Sequence, residues 1–117
     1  MPEIEIVREE IALERLRALA EATFGEFVKA VVDVGRGVIA VGGELHADGE
    51  AALLDDGASQ PELWGINLYP SLHPDPGWIE FDSMINVRPR LGNQTRGVED
   101  ADRRRAIIAV VTGLVQP

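Results

Sequence analysis

Apolar and polar side chains alternate along residues 27–34, which predicts a β-strand with one face buried and one face exposed to water. Lys29 and Asp33 would lie on the exposed face. The sequence Gly-Arg-Gly at residues 35–37 predicts a turn into a second strand over residues 38–41. The buried face of the first strand would carry Val28, Ala30, Val32 and Val34.

Two further strands are predicted over residues 63–69 and 78–88, separated by a Pro-rich loop. An antiparallel pairing must keep the apolar side chains on one face, because a shift of one residue moves every side chain to the other face. The register that satisfies this condition pairs Leu68 with Ile79, Asn67 with Glu80, Ile66 with Phe81, and Gly65 with Asp82.

Apolar residues recur at helical spacing near residues 12–24 and 100–114, which predicts two helices. Gly25 stands where a glycine C-cap is expected. A shorter helix is predicted over residues 49–55, with Asp48 as its N-cap. The fold class is therefore α+β: a mostly antiparallel sheet of about four strands built from hairpins, with the N- and C-terminal helices on the valine-lined face.

The 117 residues have the composition of one globular domain, with 45% hydrophobic and 26% charged residues, so a single domain is expected over residues 1–117. There is no cysteine, which excludes a disulfide, a thiolate nucleophile and Cys-ligated zinc. The longest uncharged apolar stretch, residues 106–115, is far shorter than the roughly 20 residues of a membrane span. The acidic start also differs from a signal peptide. We therefore expect a cytoplasmic protein with no membrane contact.

The net charge of −9 argues against nonspecific nucleic-acid binding, since neutralised phosphates supply most of that affinity. The charge is uneven, however, because six arginines and only three acids lie in residues 88–117. One interpretation is an anion site beside the last helix. The alternative is that Glu99, Asp100 and Asp102 neutralise the arginines in internal ion pairs. The arginines concerned are Arg88, Arg90 and Arg96.

Polar side chains collect on one face of the second hairpin. One interpretation is a polar ligand-binding floor, in which Gly65 lets a ligand approach and the carboxylates supply acid/base groups. The alternative is the solvated face of an antiparallel sheet, which is polar in any case. The face comprises Gly65, Asn67, Glu80, Asp82, Asn86 and Arg88.

The segment GGELHAD at residues 42–48 is a second candidate. Glu44, His46 and Asp48 alternate, so an extended chain would present all three on one side. A histidine between carboxylates can act as an oriented general base. The alternative is a helix cap at Asp48 with two surface loop residues before it. No metal site is predicted, because a structural zinc site needs four ligands and the chain has only one other histidine.

Four blocks of sequence occur in order along the chain: GGELHADGEAALL, LWGINLYP, WIEFDSMINVRP and GNQTRGVED. Together they resemble a short prokaryotic family catalogued as a domain of unknown function, and the resemblance extends from about Ile6 to Val115. It implies a stand-alone intracellular protein. It carries over no catalytic residue, and no cofactor is assigned from the sequence.

Three functions follow as hypotheses. The first is a module that binds a small molecule or a protein partner, through Glu44, His46, Asn67, Glu80, Asp82, Asn86, Arg88 and Arg96. The second is a hydrolase-type acid/base enzyme that uses Glu44, His46, Glu80 and Asp82. The third is a homodimeric interaction protein. The first two require the side chains of the GGELHAD segment to meet those of the second hairpin around one concavity.

The acidic charge generates a prediction about nucleic acid. We expect no measurable binding to generic duplex DNA or single-stranded RNA at physiological salt, because a net charge of −9 repels the phosphate backbone. Fluorescence anisotropy with labelled oligonucleotides measures this directly. Micromolar binding that weakens steeply with salt would contradict the prediction.

Overall fold

A computed structural model describes residues 3–117. Its main sheet has five strands: β1 (Ile4–Val7), β3 (Val28–Asp33), β4 (Val38–Gly42), β5 (Leu63–Leu68) and β6 (Ile79–Glu80). Their spatial order is β1-β4-β3-β5-β6, and every neighbouring pair is antiparallel. A small parallel pair joins β2 (Ile11–Ala12) to β7 (Val115–Gln116). The predicted α+β class and antiparallel sheet are confirmed.

Three α-helices accompany the sheet: α1 (Leu13–Glu21), α2 (His46–Asp55) and α3 (Ala101–Leu114). Helices α1 and α3 pack on the valine-lined face, as predicted, and we call this face the α1/α3 face. Helix α1 ends at Glu21 with Ala22 as its C-cap, so the prediction that Gly25 is the C-cap is wrong. Gly25, with φ +92°, lies in the turn that follows, and its N–H donates to Ala20 O at 2.7 Å. No helix in residues 3–117 is long and apolar enough to cross a membrane.

The opposite face of the sheet is also covered, whereas the alternation predicted that it would face water. Val31 and Asp33 on this face are each 1% exposed, because α2 packs over it and buries Leu53. Gly49 permits the close approach, since a Cβ there would lie 3.0 Å from the Val31 side chain. We call this side of the sheet the α2 face.

Helix α2 begins at His46, three residues before the predicted start, so the prediction that Asp48 caps it is wrong. The reason is the turn that precedes it. Gly42 and Gly43 have φ values of +107° and +79°, and a Cβ on Gly42 would lie 2.1 Å from Glu3 O. These two glycines reverse the chain at once, so Leu45 becomes the N-cap and His46 the first helical residue.

The predicted fourth strand over residues 78–88 is too long. The predicted pairing of Asn67 with Glu80 is confirmed, but strand β6 ends at Glu80. Beyond it the chain forms 3-10 turns at Met84–Asn86 and Pro89–Leu91. Val87, predicted to join the core, is 38% exposed, and Asn86, predicted on the polar face, is fully buried.

The side chain of Asn86 explains why the strand stops. Its Oδ1 accepts from Gly65 N at 2.8 Å, and its Nδ2 donates to Gly65 O at 2.9 Å. The side-chain amide thus takes both backbone groups of Gly65 that a longer β6 would have paired. The same Nδ2 donates to Arg96 O at 2.9 Å, which ties residues 86 and 96 to the sheet edge.

These bonds predict that Asn86→Ala is strongly destabilising. The substitution leaves the buried N–H and carbonyl of Gly65 unpaired, and each such group costs about 1–3 kcal/mol. Arg96 O loses one of its two bonds and keeps the one from Ser83 N at 2.9 Å. We expect the free energy of unfolding to fall by about 3 kcal/mol in urea titrations. The matched control is Gln94→Ala, which truncates an exposed amide in the same segment and should cost less than about 0.5 kcal/mol. An equal decrease in the free energy of unfolding of the two variants would contradict the stabilising role of the Asn86 hydrogen bonds.

Candidate functional site

A row of three polar side chains crosses the α2 face beyond the start of the helix. Lys29 on β3 pairs with Asn67 on β5, and Asn67 pairs with Glu80 on β6. Directly opposed residues in adjacent strands point to the same face, so the three side chains lie side by side. We call them the polar row.

The polar row forms the floor of a cleft of about 480 Å³, within the usual range of small-molecule sites. One wall is the start of α2, and the other is formed by residues 82–84 together with Arg96. We call it the His46 cleft. Besides the polar row it is lined by Phe27, Leu45, His46, Ala47, Tyr69, Asp82, Ser83, Met84 and Arg96.

Hydrogen bonds on the floor fix the orientation of Asn67. Its Nδ2 donates to Glu80 Oε1 at 2.8 Å, and Tyr69 donates to the same oxygen at 3.3 Å. Because a carboxylate accepts only, Asn67 Oδ1 must point away from Glu80. This oxygen is buried and has no donor within residues 3–117. The residue as a whole is 6% exposed. Burial, followed by the negative charge of Glu80, raises the pKa of Tyr69.

His46 contributes a second acceptor to the cleft. Its Nε2 lies 2.8 Å from Ile66 O, and because a carbonyl only accepts, Nε2 carries the proton and Nδ1 bears the lone pair. Nδ1 has no hydrogen-bond partner in the described part of the chain. Burial lowers the pKa of His46, the positive charges of Lys29 and Arg96 lower it further, and Ile66 and Asp82 oppose them. The imidazole is therefore neutral at pH 7.

An ion pair closes the outer wall of the cleft. Arg96 Nε donates to Asp82 Oδ1 at 2.7 Å, and the two side chains are 56% and 45% exposed. Exposed pairs of this kind contribute about 0–1 kcal/mol, so either group can exchange its partner for a ligand at little cost.

The structure thus brings five of the eight predicted site residues into one cleft: His46, Asn67, Glu80, Asp82 and Arg96. Glu44 is exposed in the turn before α2 and does not line the cleft. Asn86 is bound to Gly65.

Arg88 also lies outside the cleft. It donates to Leu63 O at 2.6 Å and to Glu50 at 3.0 Å, and its guanidinium lies 4.9 Å from the Trp64 ring centroid. Burial lowers the pKa of Arg88, and the Glu50 carboxylate opposes that effect. Arg88 is therefore part of the folded framework.

Gly65 serves the fold instead of a ligand. A Cβ at this position would lie 2.5 Å from Ser83 Cβ, so the glycine makes room for the 83–86 segment. The interpretation that Gly65 admits a ligand is wrong for this reason.

The sequence interpretation missed Lys29, Leu45, Met84 and the aromatic wall of Phe27 and Tyr69. Lys29 was placed on a polar strand face, but its neighbour Asn67 comes from a strand that is distant in sequence. One signal was present, since Lys29 is the only lysine in the chain. No group of three metal-binding side chains occurs within residues 3–117.

A family model described as "Protein of unknown function (DUF5674)" matches residues 5–114, nearly the whole chain. The chain belongs to this family. The match confirms the resemblance drawn from the four sequence blocks, and the His46 cleft lies entirely within the matched DUF5674 segment. No curated protein and no solved structure matches the chain, so no relative supplies a substrate or a catalytic residue.

The lowered pKa of His46 predicts a pH-dependent stability. Well above about pH 6.5, the ordinary pKa of histidine, the imidazole is neutral in both the folded and unfolded states. As the pH falls below that value, the unfolded chain takes up a proton that the folded protein resists, so the free energy of unfolding decreases until the folded pKa is passed. Urea titrations from about pH 8 to about pH 5 should show this loss for the wild type and not for His46→Gln.

The matched control is His73→Gln, which keeps His46 and should retain the pH dependence. His73 lies outside the cleft, in the loop beside Trp78. If the free energy of unfolding changed with pH in the same way in the wild type and in His46→Gln, the pH dependence could not be assigned to His46.

Proposed function

We propose that this protein is a binding module for a small polar molecule, held in the His46 cleft. The observation that carries the proposal is Asn67 on the cleft floor, whose buried Oδ1 has no donor within residues 3–117. A buried acceptor without a donor costs about 1–3 kcal/mol, and a bound molecule that supplies the donor would recover that cost.

Other acceptors in the cleft support the same kind of ligand. His46 Nδ1 bears a lone pair without a partner, and the hydrogen bonds of Glu80 within residues 3–117 all go to Oε1, which leaves Oε2 free. The ligand that suits this surface carries N–H or O–H donors. The cleft volume of about 480 Å³ suits a metabolite-sized molecule.

A second candidate function is acid/base hydrolysis, and the geometry of His46 favours it. The Nε2–H bond to Ile66 O fixes the tautomer and leaves Nδ1 as a base that is neutral at pH 7. Glu80 and Asp82 line the same cleft. Glu44, the fourth residue of the original hypothesis, lies outside it, so the enzyme proposal depends on His46, Glu80 and Asp82.

Protein-observed NMR tests the binding proposal. A set of small amines, amides and alcohols is titrated into the ¹⁵N-labelled protein, and saturable shifts are expected at the Asn67 side-chain amide and the backbone of residues 45–47. Asn67→Ala should weaken the fragments that bind by up to about tenfold, the value of one hydrogen bond of about 0.5–1.5 kcal/mol. The control Gln60→Ala truncates an exposed amide outside the cleft.

Two results would contradict the proposal. One is that no donor-bearing fragment gives saturable shifts at the cleft. The other is that Asn67→Ala and Gln60→Ala bind the fragments equally well while both variants keep wild-type spectra elsewhere.

A further inference from the structure

We propose that the ligand of the His46 cleft is a zwitterion, a free amino acid with an apolar side chain. This inference rests on the proposed function and names its ligand class. It is carried by the arrangement of charge along the polar row, by the number of free acceptors, and by the apolar side chains at the rim.

The polar row is dipolar. Lys29 stands at one end and Glu80 at the other, with the neutral amide of Asn67 between them. Neighbouring strands are about 4.8 Å apart, so the backbone positions of the two charged residues are separated by about 10 Å. Both side chains line the cleft, which allows one small molecule to contact the two opposite charges.

Lys29 provides a site for a carboxylate. It forms no ion pair within residues 3–117, although the chain as a whole has 20 acidic residues. Lys29 lines the cleft, and its ammonium lies 5.2 Å from the Phe24 ring centroid. A ligand carboxylate would supply the charge-assisted hydrogen bond that the protein itself does not.

The acceptors of the cleft suit an ammonium. An ammonium has three N–H donors, and two lining side chains bear acceptors without partners in residues 3–117, His46 Nδ1 and Glu80 Oε2. Asn67 Oδ1 also has no donor there but is itself buried. The charges of the lining residues also cancel, since Lys29 and Arg96 balance Glu80 and Asp82 while His46 is neutral. A zwitterion preserves this balance, whereas a ligand with a net charge does not.

The rim of the cleft is apolar. Leu45 on one wall is 58% exposed, and Met84 on the other is 65% exposed. Both are large apolar side chains that would gain from contact with an apolar group, and methionine adapts readily to the shape of a ligand. An aliphatic side chain lying between them would extend from the polar floor to the rim.

Three matched probes test the proposal in the NMR titration: leucine, isoamylamine, which lacks the carboxylate, and 4-methylpentanoate, which lacks the ammonium. Leucine is expected to bind at least about tenfold more tightly than either analogue, because each analogue loses one charge-assisted contact. The readout is the saturable shift of residues 45–47 and of the Asn67 side chain.

Two charge variants identify the contacts. Lys29→Met should reduce leucine affinity to that of isoamylamine, and Glu80→Gln should reduce it to that of 4-methylpentanoate. The controls are Arg90→Met and Glu9→Gln, which remove one charge of each sign from exposed positions outside the cleft. These controls should leave leucine affinity unchanged.

The proposal is overturned if leucine gives no saturable shift at the cleft, or if isoamylamine binds as tightly as leucine. In either case, binding of the donor-bearing fragments still supports the binding module, so the two proposals fail separately. Equal loss of affinity in Lys29→Met and Arg90→Met would likewise overturn it, because the effect would then come from net charge alone.

Discussion

The pairing of the Asn86 side chain with the backbone of Gly65 is the contact on which the shape of the molecule depends. An amide side chain carries one acceptor and one donor group at the spacing of a peptide, so it can replace a neighbouring strand for one residue. Strand β6 therefore ends after two residues, and the chain leaves the sheet. The buried edge of β5 remains hydrogen-bonded without a continuous strand beside it.

A second buried asparagine stabilises the segment that leaves the sheet. Asn93 Nδ2 donates to the carbonyls of residues 86, 95 and 97, and its Oδ1 accepts from Glu99 N at 2.8 Å. The chain between β6 and α3 is thus held by side-chain amides where regular structure is absent. Because Asn86 also bonds Arg96 O, this network positions the outer wall of the His46 cleft, including Asp82, Ser83 and Arg96.

Local patterns predicted much of this architecture. The first hairpin, both terminal helices and the pairing of Asn67 with Glu80 follow from periodicities of 2 and 3.6 residues, which depend on neighbours in sequence. The prediction of a long fourth strand was wrong because apolar and polar side chains alternate over residues 85–88 as they do in a strand. A buried asparagine and an exposed one look the same in such a pattern, so the role of Asn86 was not visible.

The cleft was predictable only in part, because it depends on which strands become neighbours. Placing His46 near the polar strands required only that the Gly-Gly turn fold back over the sheet. Placing Lys29 beside Asn67 required the β3–β5 pairing, which joins strands separated by β4 and α2 in the chain. Periodicity along the chain does not indicate which distant strands pair, so the position of Lys29 in the polar row was not predicted.

The two parts of the α2 face differ in the kind of side chain they carry, and the difference distinguishes residues that pack the fold from residues that line the cleft. Where α2 covers the sheet, the apolar side chains of Val31 and Ala40 pack against Leu53 of the helix. Beyond the start of α2, the same face carries a lysine, an amide and a carboxylate, and the buried amide oxygen has no donor in the described part of the chain. Apolar side chains there would extend the packed layer and remove the unpaired group. This polar row is therefore the feature on which the proposed binding function rests.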